Sequence, residues 1–212
     1  ARHVLNKIPL PRNGDGMKGW HFAPDSGRTR YSDEPIVVGE WMEAEGGLKL
    51  CRNGMHASKR AIDALTYAPG ALLCRVEVEG ELLHGDDKFA GRRRRVLWMV
   101  DATNVLHEFA CRCADDALAL LDAPDPRSVA AIAAKRGWLR GEISNEELRA
   151  AGAAAWAAAG AAAWAAARAA AWDAARAAWA AGAAADAAGA AAWAAQNRRL
   201  TAMLCAEHRR KR

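Results

Sequence analysis

The chain has 212 residues, a formal net charge of +5, 52% hydrophobic residues and nine tryptophans, a length at which two compact units are expected rather than one. The opening Ala1-Arg2-His3-Val4 lacks the apolar core of a signal peptide, and no run of about 18 residues is apolar enough for a membrane helix, so a cytoplasmic protein is expected. Five irregularly spaced cysteines, Cys51, Cys74, Cys111, Cys113 and Cys205, argue against a disulfide framework and for thiols in a reducing compartment.

The composition changes near residue 110. We expect an N-terminal segment over 1–16, a small α/β domain over 17–110, an alanine-rich helical domain over 111–208 and a basic tail over 209–212. The first strand is predicted over 35–41, and a helix from Ser58 to Ala68 follows from Ala61, Ile62, Leu65 and Ala68, with Ser58 able to cap it. Over 71–79, Leu72, Cys74, Val76 and Val78 alternate with Arg75, Glu77 and Glu79, which is the pattern of a half-buried strand ended by Gly80. His84-Gly85-Asp86-Asp87-Lys88 reads as a turn between strands. Residues 96–100 are apolar on both faces and form a central strand. Just before them stand Arg92, Arg93, Arg94 and Arg95, which together with the basic residues 209–212 could grip phosphates.

A helix over 102–121 should place Val105, Leu106, Phe109, Ala110, Cys113, Ala117 and Leu120 on its inner side. Pro124-Asp125-Pro126 breaks the chain and caps the next helix, which Gly141 ends. Ser144 and Glu147 form a capping box that starts a further helix near residue 145.

From there the sequence is nearly all alanine, punctuated by Trp156, Trp164, Arg168, Trp172, Arg176, Trp179 and Trp193 at helical spacing. At about 100° per residue, Trp164, Trp172, Trp179 and Trp193 share roughly one quadrant of the helix, and Trp156 drifts away. One unbroken helix would be roughly 90 Å long at 1.5 Å per residue. A fold-back near Gly160 or Gly182 into a bundle or hairpin is therefore preferred, with pairing of long helices between subunits as the other outcome. The fold class expected is α+β: a small mixed α/β domain, then an all-α alanine- and tryptophan-rich bundle or long helical hairpin.

Three resemblances bear on function. Lys18-Gly19-Trp20-His21-Phe22, the run from Cys51 to Ser58, the run from Asp63 to Tyr67, Val76 to Glu81 and Asp86-Asp87-Lys88 resemble an uncharacterised domain of phage and prophage proteins. Trp138-Leu139-Arg140-Gly141-Glu142-Ile143-Ser144, with the alanine array and Gln196 to Leu200, resembles alanine-rich helical immunity proteins of bacterial toxin systems, which implies action by binding. Gly54-Met55-His56-Ala57-Ser58 ahead of a helix and Tyr67 resembles the second motif of ADP-ribosyltransferases. That likeness implies a nicotinamide pocket, with His21 in the place of their first-strand histidine and NAD as cofactor. His56 stands where that motif has an aromatic residue, and none of Glu77, Glu79, Glu81 and Glu108 lies in a recognisable catalytic motif.

His21, Cys51, His56, His84 and Asp86 carry ligand-type atoms, yet no pair has metal-site spacing, and a structural role is preferred for them. The reading that follows is a non-catalytic binding protein of phage or prophage type that engages a protein partner, with immunity or anti-defence as the role the resemblances imply, without cofactor or metal. Its binding residues would be Arg92, Arg93, Arg94, Arg95, Trp138, Arg168 and Arg176. An NAD-dependent transferase built on His21, His56, Ser58 and Tyr67 is one alternative, and a basic nucleic-acid binder is the other.

Overall fold

The computed structural model describes residues 16–211, and within 158–188 the helical backbone alone. The chain divides into two compact units: the described residues up to Ala102 together with the stretch from Leu204, and Thr103–Met203. The division falls ahead of the compositional change near residue 110, because the helix that begins at Thr103 starts before alanine accumulates. Arg209 and Arg210 complete a helix and belong to the first unit.

The first unit contains β1 (Met17–Ala23), β2 (Trp41–Glu43), β3 (Met55–Ala57), α1 (Ala61–Thr66), β4 (Leu72–His84) and β5 (Phe89–Asp101). The strands form one antiparallel sheet in the order β1-β4-β5-β2, with β3 also paired to β5. Immediately after β3, Ser58 exchanges two backbone hydrogen bonds with Trp20 of β1, at 2.8 and 2.9 Å. The sheet thereby curls back toward its first strand. Its inner face holds Ala57, Cys74, Val76, Val78, Phe89 and Val96, all buried, with Met17, Met42 and Met99 packed against them.

The alternating strand at 71–79 and the turn at 84–88 are present, the turn closed by the Gly85 N–H donating to the Lys88 carbonyl at 2.8 Å. Gly80 does not end the strand. It takes φ +88 within a register shift between Glu79 and Leu82, so β4 kinks there and continues to His84. The strand expected over 35–41 is reduced to isolated bridges at Pro35 and Val38, and ladder pairing begins only at Trp41. Pro35 has no N–H to donate, and Gly39 at φ +92 turns the chain. Nor does Ser58 cap α1: its backbone serves the bridge to Trp20, and Arg60 occupies the cap position without a side-chain bond.

The second unit contains α2 (Thr103–Leu118), α3 (Pro126–Leu139) and most of α4 (Asn145–Arg210). Of the inner residues expected on α2, Phe109 is buried, and the neighbouring Cys111 is buried too. Leu120 lies beyond the helix end and is 86% exposed. The Asp125 carboxylate accepts from the Arg127 N–H at 2.8 Å, which caps α3 as its sequence predicts. Arg136 then ties α3 to α2, bonding Asp115 at 2.6 Å and Glu108 at 3.2 Å.

The capping box forms in both directions. Ser144 Oγ accepts from the Glu147 N–H at 3.2 Å, and the Glu147 carboxylate accepts from the Ser144 N–H at 2.7 Å. From this start α4 runs unbroken for 66 residues, without the fold-back near Gly160 or Gly182. Each glycine costs the helix only about 1 kcal/mol relative to alanine, and the alanines between them have the highest helix propensity. The side chains of Trp164, Arg168, Trp172, Arg176 and Trp179 lie outside the described residues.

Candidate functional site: the polar cluster inside the curled sheet

Register places His21 opposite Cys74, and Arg94 opposite Val78, two alternations further along the same face of β4. An arginine side chain is long enough to lie along that face. Arg94 does so, bearing electrostatically on Cys74 and on His21. Its Nη1 donates to the His56 carbonyl of β3 at 2.6 Å. Arg94 is 6% exposed, and its Nε is buried without a hydrogen-bond partner. Burial lowers its pKa to about 10, which leaves the guanidinium charged at neutral pH.

His21 as a residue is intermediate in exposure, while protein atoms crowd its ring. That burial, with the positive charge of Arg94 and the nearby His56, drives its pKa well below the ordinary histidine value and holds it neutral. Cys74 is fully buried, and its thiol is pushed up to about 12, so it is not a nucleophile at neutral pH.

His56 has both ring nitrogens in use. Nε2 accepts from the Cys51 N–H at 3.0 Å, which requires a lone pair there, so the proton sits on Nδ1 and is donated to the Gly54 carbonyl at 2.8 Å. The ring therefore pins the loop in which Cys51, at φ +67, and Gly54, at φ +137, turn the chain. Burial and the charges of Arg94 and Lys88 lower its pKa, as a neutral hydrogen-bonding role requires.

Of the residues proposed for an NAD site, the fold thus brings His21 and His56 together. Ser58 is buried at the bridge to Trp20. Tyr67 is half exposed; its hydroxyl donates to Asp87, and Lys88 Nζ lies 3.9 Å from its ring centroid. Among the described residues, no three His, Cys, Asp or Glu side chains converge as a metal ion would require.

The four arginines separate by strand alternation. Arg94 points inward, while Arg93 and Arg95 lie on the outer face over Trp41, their guanidiniums 4.6 and 4.8 Å from its ring centroid. Arg93 pairs with Glu79 and Arg95 with Glu77, each at 2.6 Å, and Arg92 donates to the carbonyls of Ala44 and Gly46. Trp138 donates to Asn145 at 2.7 Å, lies edge-on to His107, and carries Lys135 over its ring. The buried position of Arg94 was within reach of sequence reasoning: carried backward from Val96, a period of two puts Arg94 on the core face.

No helix among the described residues is long and apolar enough to cross a membrane. The chain matches no curated protein and no solved structure. Residues 21–108, less than half of the chain, match the model of a domain of unknown function (DUF7666), a span that opens at His21 and holds Cys74, Arg94 and the His56 loop.

Proposed function

We propose that this is a non-catalytic binding protein whose helical unit engages a partner protein. Trp156 of α4 carries the proposal: it is 81% exposed, on a helix otherwise built there from alanine. Tryptophan is among the side chains that most often dominate binding energy, and a small-residue surround lets a partner approach it closely. In the same unit Leu120, Leu121 and Val129 are also exposed, and an apolar groove of about 240 Å³ opens between α2 and α3 beside Cys111 and Ile132. In the first unit the two bonded ring nitrogens of His56 and the raised thiol of Cys74 favour structural over catalytic roles.

The resemblances to phage and immunity proteins suggest a toxin or a host defence component as the partner. Five unbridged cysteines suit a cytoplasmic setting. The test is recovery of tagged protein from a bacterial host, wild type beside Trp156→Ala. A partner held stoichiometrically by the wild type and lost from the variant is the expected result. Identical recovery by both, or transfer of label from NAD by the purified chain, would defeat the reading.

A further inference from the structure

Among the described residues, three arginines have a buried nitrogen without a hydrogen-bond partner: Arg28, Arg75 and Arg94. Two are compensated in other ways. Arg28 pairs with Asp33 at 3.0 Å, and the Arg75 guanidinium lies over the Trp20 ring, 4.5 Å from its centroid. Arg94 has neither compensation. One of its five N–H donors goes to the His56 carbonyl, no carboxylate among the described residues bears on it, and the residue is 94% buried, across the register from Val78 and within electrostatic reach of Cys74 and His21. An isolated buried cation is costly, and proteins keep one where a counter-charge completes it.

We propose that Arg94 and His21 form a binding site for a small oxyanion, a phosphate or carboxylate group, reached from the side of His21, the less buried of the two residues. Arg94 supplies the charge and the free Nε–H, in the planar geometry that suits two-oxygen recognition. His21, neutral and across the register from Cys74, supplies one ring N–H at the mouth. His56 takes no direct part, because both its ring nitrogens are occupied; it presents its carbonyl to Arg94 and fixes that side chain.

The site is independent of the helical docking surface and is tested on the full-length chain. The Arg94 Nε–H and His21 ring resonances are followed by NMR during titration with inorganic phosphate and, separately, with acetate, at constant ionic strength set by chloride. Saturable movement of both resonances with one or both anions, absent with chloride, is expected, and the anion that saturates first identifies the group recognised. Arg94→Gln should weaken binding by about tenfold or more, with Arg94→Lys intermediate. If Arg94→Gln fails to fold, the wild-type titration decides alone. Overturning results are no saturable shift in the wild type, the same shift with chloride, or unchanged affinity in a folded Arg94→Gln.

Discussion

His208 stacks face to face on Trp98, with ring centroids 4.0 Å apart and planes 10° from parallel. Trp20 meets the same indole edge-on at 5.8 Å, Leu204 is fully buried, and Lys211 Nζ donates to the Asp101 carbonyl at 3.2 Å. The end of α4 is thus built into the sheet unit. We expect His208→Ala to cost about 1 kcal/mol and Trp98→Ala about 3 kcal/mol. Urea unfolding followed by tryptophan fluorescence measures both, and wild-type midpoints in the two variants would contradict the packing.

Acid should weaken the sheet unit through His21. Its folded pKa lies well below the unfolded value of 6.5, so below pH 6.5 the unfolded chain takes up the proton first. The contribution is complete above 6.5 and is lost as pH falls from there toward the folded value, at up to about 1.4 kcal/mol per pH unit. His56 acts with the same sign and, being only partly buried, more weakly. Stability measured between pH 7 and pH 5 should show a shallower slope in His21→Asn than in wild type.

Gly91 leaves no room for a methyl group. A Cβ there would stand 2.5 Å from Val78 Cγ1 and 3.0 Å from the Glu79 carbonyl oxygen, the latter part of the backbone at the β4 kink. Gly91→Ala is expected to lose about 2 kcal/mol. Gly47→Ala, with nothing within 4 Å, should stay near wild type in the same thermal scan and serves as the control.

Removing the hydroxyl of the capping box leaves the Glu147 N–H without its partner. Ser144→Ala should therefore destabilise the start of α4 by about 1 kcal/mol, and Ser144→Asp should recover most of it. Hydrogen exchange at Glu146 and Glu147 reads this directly, since faster exchange in the alanine variant alone is the expected pattern.

What could be read from the sequence was local. The capping box, the Asp125 cap, the 84–88 turn and the alternation of 71–79 each depend on residues a few positions apart, and each is present. Pro35 and Gly39 outweighed the strand propensity of Ile36, Val37 and Val38, and Gly80 was mistaken for a terminator because a bulge and a stop share the same residue type. The preference for a folded-back α4 weighs Gly160 and Gly182 above the alanines that surround them. In the candidate site, His21 and His56 stand out through a resemblance, and the period of two from Val96 puts Arg94 on the core face, while its place beside Cys74 and His21 needs the register of β5 against β4. The stack of His208 on Trp98 joins a residue near the middle of the chain to one near its end and has no local signature.

The outer face of β5 alters the meaning of the chain's most basic run. With Arg93 and Arg95 both lying over Trp41, and Glu79 and Glu77 pairing them, those cations act as rivets of the sheet. A passing polyanion would meet charges already answered, so raising the ionic strength should loosen this face of the fold before it releases any strand of nucleic acid.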